Sequence, residues 1–84
     1  MDILEMIAND VVEGEMDEIA DHVQEALDGG MEPKKVLDEG MLKGMNTVGD
    51  LFKEGEMFVP EVLMSAKTMD EAQDFIERFK KVLS

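Results

Sequence analysis

The stretch that decides the fold is VGDLFKEGEMFVPEVLMSA, residues 48–66 of the 84-residue chain. Its centre is the charged segment Lys53-Glu54-Gly55-Glu56, and Pro60 follows at a position that suits the first turn of a new helix. Two helical segments with so short a connection predict an antiparallel helical hairpin. Both sides of the turn are rich in apolar side chains, namely Phe52, Met57, Phe58, Val59, Val62, Leu63 and Met64. A hairpin tip normally faces water, so this apolar excess has to be explained.

Helical periodicity extends in both directions from this hairpin. Its two arms are predicted over about 33–53 and 60–83, and two shorter helices over about 2–13 and 15–28. Gly14 and Gly29-Gly30 end the short helices, and Pro33 opens the third. No segment alternates with a period of two, so no sheet is expected. The sequence predicts an all-α fold, a small antiparallel four-helix bundle, with residues 1–84 forming a single domain.

The third predicted helix carries two glycines in its interior, Gly40 and Gly44. Each costs roughly 1 kcal/mol relative to Ala, and the close approach of another helix would offset that cost. Both belong to an apolar face made of Val36, Leu37, Gly40, Gly44, Val48 and Leu51. A second apolar shoulder follows at spacings of three and four residues, and it consists of Leu42, Met45, Gly49 and Phe52. The third helix is therefore apolar over more than one stripe.

The fourth predicted helix shows the same excess near the turn. Its inward stripe is made of Val62, Ser65, Ala66, Met69, Ala72, Ile76 and Leu83. Leu63 and Met64 lie off that stripe, close to the hairpin tip. A small bundle can place all of these side chains in its core, and methionine-rich cores are common. The alternative is an exposed apolar patch, which marks a ligand or partner surface in a protein of this kind.

Charge and composition exclude several classes of function. The net charge is −13, and residues 1–32 hold eleven acids without Lys or Arg, so nucleic-acid binding is not expected. The acidic segment either steers a basic partner or serves as a solvated face, the reading we favour. The N-terminus lacks a basic region and a long apolar run, so neither a signal peptide nor a membrane span is expected. The absence of Cys excludes disulfides and thiolate sites, and a cytoplasmic protein is expected.

No catalytic or metal-binding residues are predicted. His22 is the only histidine, with Glu18 and Glu25 on the same helix, but a carboxylate-bridged metal site in a bundle needs a second histidine and inward-facing acids. His22 is therefore expected to face solvent. Ser65 has no nearby base and is expected to be a small packing residue.

A longer segment, EGMLKGMNTVGDLFKEGEMFVPEVLMSAKTM at residues 39–69, resembles the N-terminal helical cap domain of cobalamin- and corrinoid-binding methyl-transfer proteins. These are the corrinoid proteins of methanol, methylamine and methoxy-compound methyltransferase systems, and cobalamin-dependent methionine synthase. The family pattern is Gly-Leu-x-x-Gly-Met-x-x-Val-Gly-x-x-Phe, a charged turn, and Phe-x-Pro-Glu-x-x-x-Ser-Ala-x-x-Met. Here it departs only at Met41, where Leu is usual. The flanking helices also fit the family layout.

The resemblance implies a role for the apolar hairpin tip. In this family the tip lies over the upper face of the corrin ring and shields the cobalt-bound methyl group, and it moves aside for methyl transfer. The contact positions of the family correspond to Phe52, Val59 and Val62. Phe58 and Met57 are expected to be secondary contacts to the cofactor. For Phe58, packing in the core is an equal possibility. The implied cofactor is methylcobalamin, which does the chemistry, so this chain is expected to be a carrier component and not an enzyme.

One part of the family pattern is missing from this chain. The Rossmann-like cobalamin-binding domain bears an Asp-x-His-x-x-Gly motif whose His ligates cobalt from below, and no such motif occurs here. We expect the chain to be the cap portion of a longer protein and to bind a corrinoid weakly or not at all by itself. The implied partners are a Rossmann-like corrinoid domain, in cis or in trans, a substrate-specific methyltransferase and an acceptor methyltransferase. The alternative is a free-standing interaction module that dimerises or binds a partner through the same tip.

Overall fold

The computed structural model describes residues 1–83, with side chains up to Val82. Its elements in chain order are α1 (Ile3–Glu13), α2 (Met16–Asp28), α3 (Pro33–Val36), a π-helical turn (Leu37–Met41), α4 (Leu42–Lys53) and α5 (Val59–Leu83). Because α3, the π-helical turn and α4 continue one another without a break, the described chain forms four helical rods. The predicted all-α four-helix bundle is confirmed, and each predicted boundary lies within about a residue of the observed one.

Local sequence explains where the helices begin and end. Asp2 accepts a hydrogen bond from the Glu5 backbone N–H at 2.8 Å, and the Glu5 side chain accepts one from the Asp2 N–H, so α1 begins with a complete capping box. Gly14 and Gly30 follow α1 and α2 with left-handed backbone conformations. The described helices include none that is long and apolar enough to cross a membrane.

The core lies around α1, which packs against α2, α4, α5 and the π-helical turn. α5 is the longest element, at 25 residues, and its length of about 37 Å accounts for most of the 42 Å long axis of the molecule. The buried side chains of the main cluster are Ile7, Val11, Ile19, Val23, Ala26, Leu27, Val36, Met41, Ala72 and Ile76. From the stripe predicted for α5 they include Ala72 and Ile76, and Ser65 is also buried, whereas Val62, Ala66 and Met69 are half-buried. The side chain of Leu83, also predicted for the α5 stripe, lies outside the described residues.

The two interior glycines of the third rod lie where α1 comes closest. A Cβ added at Gly44 would lie 2.6 Å from the carbonyl oxygen of Ala8 and 2.8 Å from the Cβ of Val11. A Cβ at Gly40 would lie 3.1 Å from Cγ2 of Ile7. The sequence prediction that a neighbouring helix approaches these glycines is confirmed. Their helix-propensity cost is offset by the packing of α1 against α4.

The sequence predicts a regular α-helix for the third rod, whereas the structure has a π-helical turn within it. The N–H of Leu42 donates to the carbonyl of Leu37, five residues earlier, in the π-helical turn. Val36 and Met41 are both fully buried although they are five residues apart. In a regular α-helix this spacing would separate them by about 140°, so they would not share a face. The predicted apolar face did not include Met41, although at 100° per residue its position lies only about 40° from that of Leu37.

Candidate functional site

An exposed apolar surface covers the turn between α4 and α5. We define the tip patch as Phe52, Phe58, Val59, Val62 and Leu63. Phe52 is 49% exposed, Phe58 67%, Val59 56% and Leu63 57%, while Val62 is half-buried. Val59, Val62 and Leu63 lie at the start of α5, Phe58 directly precedes that helix, and Phe52 belongs to the last turn of α4. Of the two interpretations left open by periodicity, core or patch, the structure supports the patch.

The backbone of the turn is held by a Schellman motif. Gly55 has a left-handed conformation with φ of 78°, and its N–H donates to the Phe52 carbonyl at 3.1 Å. The Leu51 carbonyl accepts from the N–H groups of Glu56 at 2.8 Å and Met57 at 3.2 Å. These bonds satisfy the carbonyls of Leu51 and Phe52, two of the last four of α4, which a helix end otherwise leaves unpaired. The turn therefore fixes the direction in which the chain enters α5.

A second local network positions the first apolar residues of α5. The N–H of Phe58 donates to Oε1 of Glu61 at 3.0 Å, and the Phe58 carbonyl accepts from the N–H of Val62 at 3.1 Å. Phe58 thus occupies the N-cap position, and Glu61, three residues later, supplies the side-chain acceptor for its N–H, which is one half of a capping box. Val59 and Pro60 are the first two residues of the helix, where Pro fits without the loss of a hydrogen bond. Glu61 therefore has a structural role at the tip beyond its charge.

The hairpin is anchored to the rest of the bundle directly behind the tip patch. Met57 is only 8% exposed and Val48 is fully buried. Ser65 is fully buried and its hydroxyl donates to the carbonyl of Val12, in the last turn of α1, at 3.2 Å. A Cβ on Gly14 would lie 2.6 Å from Cγ of Met64, so that side chain packs over the end of α1. The expected packing role of Ser65 is confirmed, and it includes this hydrogen bond.

The structure places the five predicted contact residues at different depths. Phe52, Phe58 and Val59 are exposed and Val62 is half-buried, so these four can meet a ligand at the tip. Met57 is buried beneath them and supports the surface from below. The sequence prediction did not include Leu63, although it placed Leu63 off the inward stripe of α5. This position off the stripe is the feature of the sequence that indicates an exposed Leu63.

His22 was expected to face solvent, and that expectation is wrong. Its Nδ1 lies 2.5 Å from Oδ2 of Asp10, whose side chain is 4% exposed, while the His22 side chain is 21% exposed. The hydrogen bond to Asp10 raises the pKa of His22, and the charges of Glu18 and Glu25 act in the same direction. Burial raises the pKa of Asp10, and the hydrogen bond from His22 opposes that shift. The pair joins α1 to α2.

Two other features of the described residues bear on a binding site. No group of three or more His, Asp or Glu side chains among residues 1–82 is placed to hold a metal ion. A groove of about 610 Å³ runs between α1 and the third rod, lined by apolar residues such as Leu4 and Ala8 and by charged ones such as Glu39 and Lys43. This groove does not include the tip patch. Its lining mixes charge with hydrocarbon, whereas the tip patch is hydrocarbon throughout.

Sequence comparison finds the same segment in proteins of known type. The family model described as the B12 binding domain matches residues 3–77. Monomethylamine corrinoid protein 2 of Methanosarcina acetivorans is 35% identical over 75 residues, which are 89% of this chain and 35% of that protein. The methanol–corrinoid protein of Methanosarcina barkeri is 36% identical over 69 residues, which are 82% of this chain and 27% of that protein. The chain thus spans about a third of the length of the curated relatives it matches.

Solved structures agree with the sequence matches. The structure of the monomethylamine corrinoid protein of Methanosarcina barkeri superposes with a TM-score of 0.86 at 28% identity, covering 88% of this chain and 35% of the other. A chain of the methanol:cobalamin methyltransferase complex from the same organism gives a TM-score of 0.85 at 33% identity, covering 90% and 30%. Sequence and fold together show that this chain belongs to the B12 binding domain family, as the helical cap domain found in corrinoid proteins.

Proposed function

We propose that this chain is the cap of a corrinoid protein that carries a methyl group between methyltransferases, and that the tip patch covers the upper face of the corrin ring. The observation that carries the proposal is the tip patch itself, an exposed hydrocarbon surface held by a fixed turn. A single domain that exposes several large apolar side chains together normally does so to bind something. The family and the relatives supply the chemical class of that ligand.

The residues of the tip patch fit a methylated corrinoid. Its side chains offer neither hydrogen-bond donors nor acceptors, and a methyl group likewise has none to offer. When bound, the corrinoid supplies the methyl-transfer chemistry through its cobalt. The contribution of this chain is to exclude water from the upper face and to restrict access to it. Phe52, Val59 and Val62 are the proposed contact residues, with Phe58 at the edge and Met57 beneath.

The proposed cofactor is held mainly by another domain. The relatives are about three times as long as this chain, and a Rossmann-like corrinoid domain, in cis or in trans, would ligate the cobalt from below. The chain alone is therefore a poor corrinoid binder and not itself an enzyme. A structural relative in a methanol:cobalamin methyltransferase complex supports a substrate-specific methyltransferase as a further partner.

Photolysis of methylcobalamin tests the cap role directly. A Rossmann-like corrinoid domain loaded with methylcobalamin would be titrated with this chain, and the rate of light-driven loss of the methyl group followed by absorbance. We expect the wild-type chain to slow photolysis and to shift the cobalt spectrum, because the tip patch replaces water above the ring. An unchanged rate and spectrum at saturating chain would count against the proposal.

Charge substitution distinguishes the tip patch from other exposed hydrocarbon. Phe52→Asp should abolish the protection, because a carboxylate resists transfer from water to an apolar contact. Val82→Asp is the matched control, since Val82 is 84% exposed but lies about 30 Å further along α5 than Val62. Equal loss of protection in both variants would show that added charge, and not the tip patch, is responsible.

Self-association through the tip patch is a second candidate function. The exposure of Phe52, Phe58 and Val59 in the isolated chain favours it, because two copies can bury these surfaces against each other. We expect concentration-dependent association in sedimentation experiments, with weaker association for Phe52→Asp. A chain that stays monomeric at high concentration, or associates equally well with the substitution, rules this function out.

A further inference from the structure

Gly49 is an interior residue of α4 that the fold of the chain does not explain. It is exposed, its φ is not positive, and a Cβ added there would meet nothing within 4 Å. Gly40 and Gly44 differ from it, because α1 lies against both. Glycine inside a helix lowers stability relative to alanine. Neither the backbone conformation nor a neighbour in the described chain accounts for glycine at position 49.

The position of Gly49 relates it to the tip patch. It lies three residues before Phe52 on the same helix, so the two are neighbours on one side of α4. Leu42, one heptad before Gly49, is 39% exposed, and Met45 between them is half-buried. The apolar shoulder predicted from the sequence is therefore a partly exposed strip about 15 Å long that reaches the tip patch at Phe52.

We propose that Gly49 is a contact position for the corrin ring, which approaches the backbone of α4 there to van der Waals distance. The proposal rests on the cap function proposed above. A corrin is a broad and rigid ring, so a ring covered near its centre by the tip patch extends over the neighbouring helix surface. A side chain at position 49 would hold the ring away by at least one bond length, about 1.5 Å. Glycine removes that obstacle at the expense of helix stability.

The alanine variant separates a role in binding from a role in folding. Gly49→Ala should raise the melting temperature of the chain by roughly 4 °C, since alanine is the better helix former and has room. The same variant should weaken protection of methylcobalamin on the corrinoid domain, with about a tenfold higher chain concentration needed for half-maximal effect. Gly49→Leu should remove protection entirely. A melting temperature below wild type for Gly49→Ala would assign the glycine to folding and overturn the inference.

Thr47→Ala is the matched control on the same helix. Thr47 is exposed on the opposite flank of α4, about 160° from Gly49, and alanine is again the better helix former. Thr47→Ala should leave the titration unchanged. If the wild type protects methylcobalamin, Phe52→Asp does not, and Gly49→Leu protects as well as wild type, the cap function stands and the inference on Gly49 fails. Absence of protection by the wild type overturns both.

Discussion

The two sides of α4 use glycine in opposite ways. On the inner side Gly44 leaves no room for a Cβ, because the Ala8 carbonyl and Val11 occupy the space. On the outer shoulder Gly49 has open space around it and apolar neighbours that are exposed or half-exposed. The inner glycine is explained by the fold of the chain, whereas the outer one is not. Glycine alone is therefore ambiguous, and the space around its missing side chain decides which role it has.

The same contrast separates the tip patch from the base of the bundle, which we define as the main buried cluster around α1. The base buries its apolar side chains and pairs its buried polar groups, and none of the described buried side-chain nitrogens or oxygens lacks a hydrogen-bond partner. The tip is ordered by backbone hydrogen bonds and a cap, yet it leaves its apolar side chains uncovered. An ordered apolar surface that does not pack into the core of the bundle is suited to binding a ligand or a partner.

The largest effect is expected for Gly44→Ala on the inner side. The added Cβ would meet a backbone oxygen that cannot move without displacing α1, so we expect a loss of about 3 kcal/mol in the free energy of unfolding. Urea denaturation followed by circular dichroism measures it. Gly49→Ala is the paired variant and should change stability in the opposite direction. Equal effects of the two variants would remove the distinction between the two sides.

The next largest effect is expected at the pair between α1 and α2. His22→Ala leaves the buried carboxylate of Asp10 without its partner and should cost about 2 kcal/mol near pH 6.5. Because the folded pKa of His22 is raised above its ordinary 6.5, its contribution is complete below that pH and is lost as the pH rises through the folded pKa.

The pH dependence of this pair can be measured above pH 6.5. Wild-type stability should fall as the pH rises from 6.5 towards 9, because Asp10 then remains buried and charged beside a neutral imidazole. The raised pKa of Asp10 also makes stability fall as the pH rises, so it does not reverse the sign. His22→Ala should flatten the profile, whereas Asp21→Asn, an exposed neighbour, should leave it unchanged. A wild-type profile that is already flat would show that the imidazole and carboxylate are not coupled.

At the tip a smaller effect is expected from the cap of α5. Glu61→Ala removes the acceptor for the Phe58 N–H and should cost about 1 kcal/mol. Glu61→Gln keeps an acceptor oxygen and should lose less than half of that, as judged by the midpoint of urea unfolding. If both variants lose the same amount, the negative charge near the helix N-terminus, and not the hydrogen bond, is what matters.

The smallest effect on stability is expected within the tip patch. Phe52→Asp should change the free energy of unfolding by about 0.5 kcal/mol or less, because Phe52 is half-exposed and contributes little to the core. The same substitution should have the largest effect on methylcobalamin protection. Thermal unfolding of the variant checks the first expectation. A loss of several kcal/mol would mean that Phe52 belongs to the core and would remove the contrast between base and tip.

The sequence predicted the bundle well because apolar periodicity and glycine and proline positions agree along the whole chain. The helix boundaries follow from Gly14, Gly29-Gly30, Pro33 and Pro60, and the tip patch follows from apolar residues that exceed one stripe. Periodicity could not decide whether those residues were core or surface. That decision depends on which neighbouring helix covers them, and helix packing is not a local property.

The Asp10–His22 pair could not be predicted from one helix at a time. His22 was compared with Glu18 and Glu25 on its own helix, whereas its partner lies on α1, twelve residues earlier. A signal was present, since Asp10 lies three residues after Ile7 and directly before Val11, both fully buried. An acid within an apolar stripe usually needs a buried partner. Glu61 differs, because its partner, the Phe58 N–H, lies only three residues earlier in the chain.

The π-helical turn lies between α3 and α4, in the rod whose far end carries Phe52 of the tip patch. One residue inserted into an α-helix rotates everything beyond it by about 100° relative to everything before it. Deleting Asp38, an exposed residue within the turn, would restore an ordinary helix between Val36 and α4. The base and the tip could then no longer both keep their present orientation. Adding or removing one residue in this turn would therefore rotate the tip patch relative to α3 without changing any residue of the tip patch.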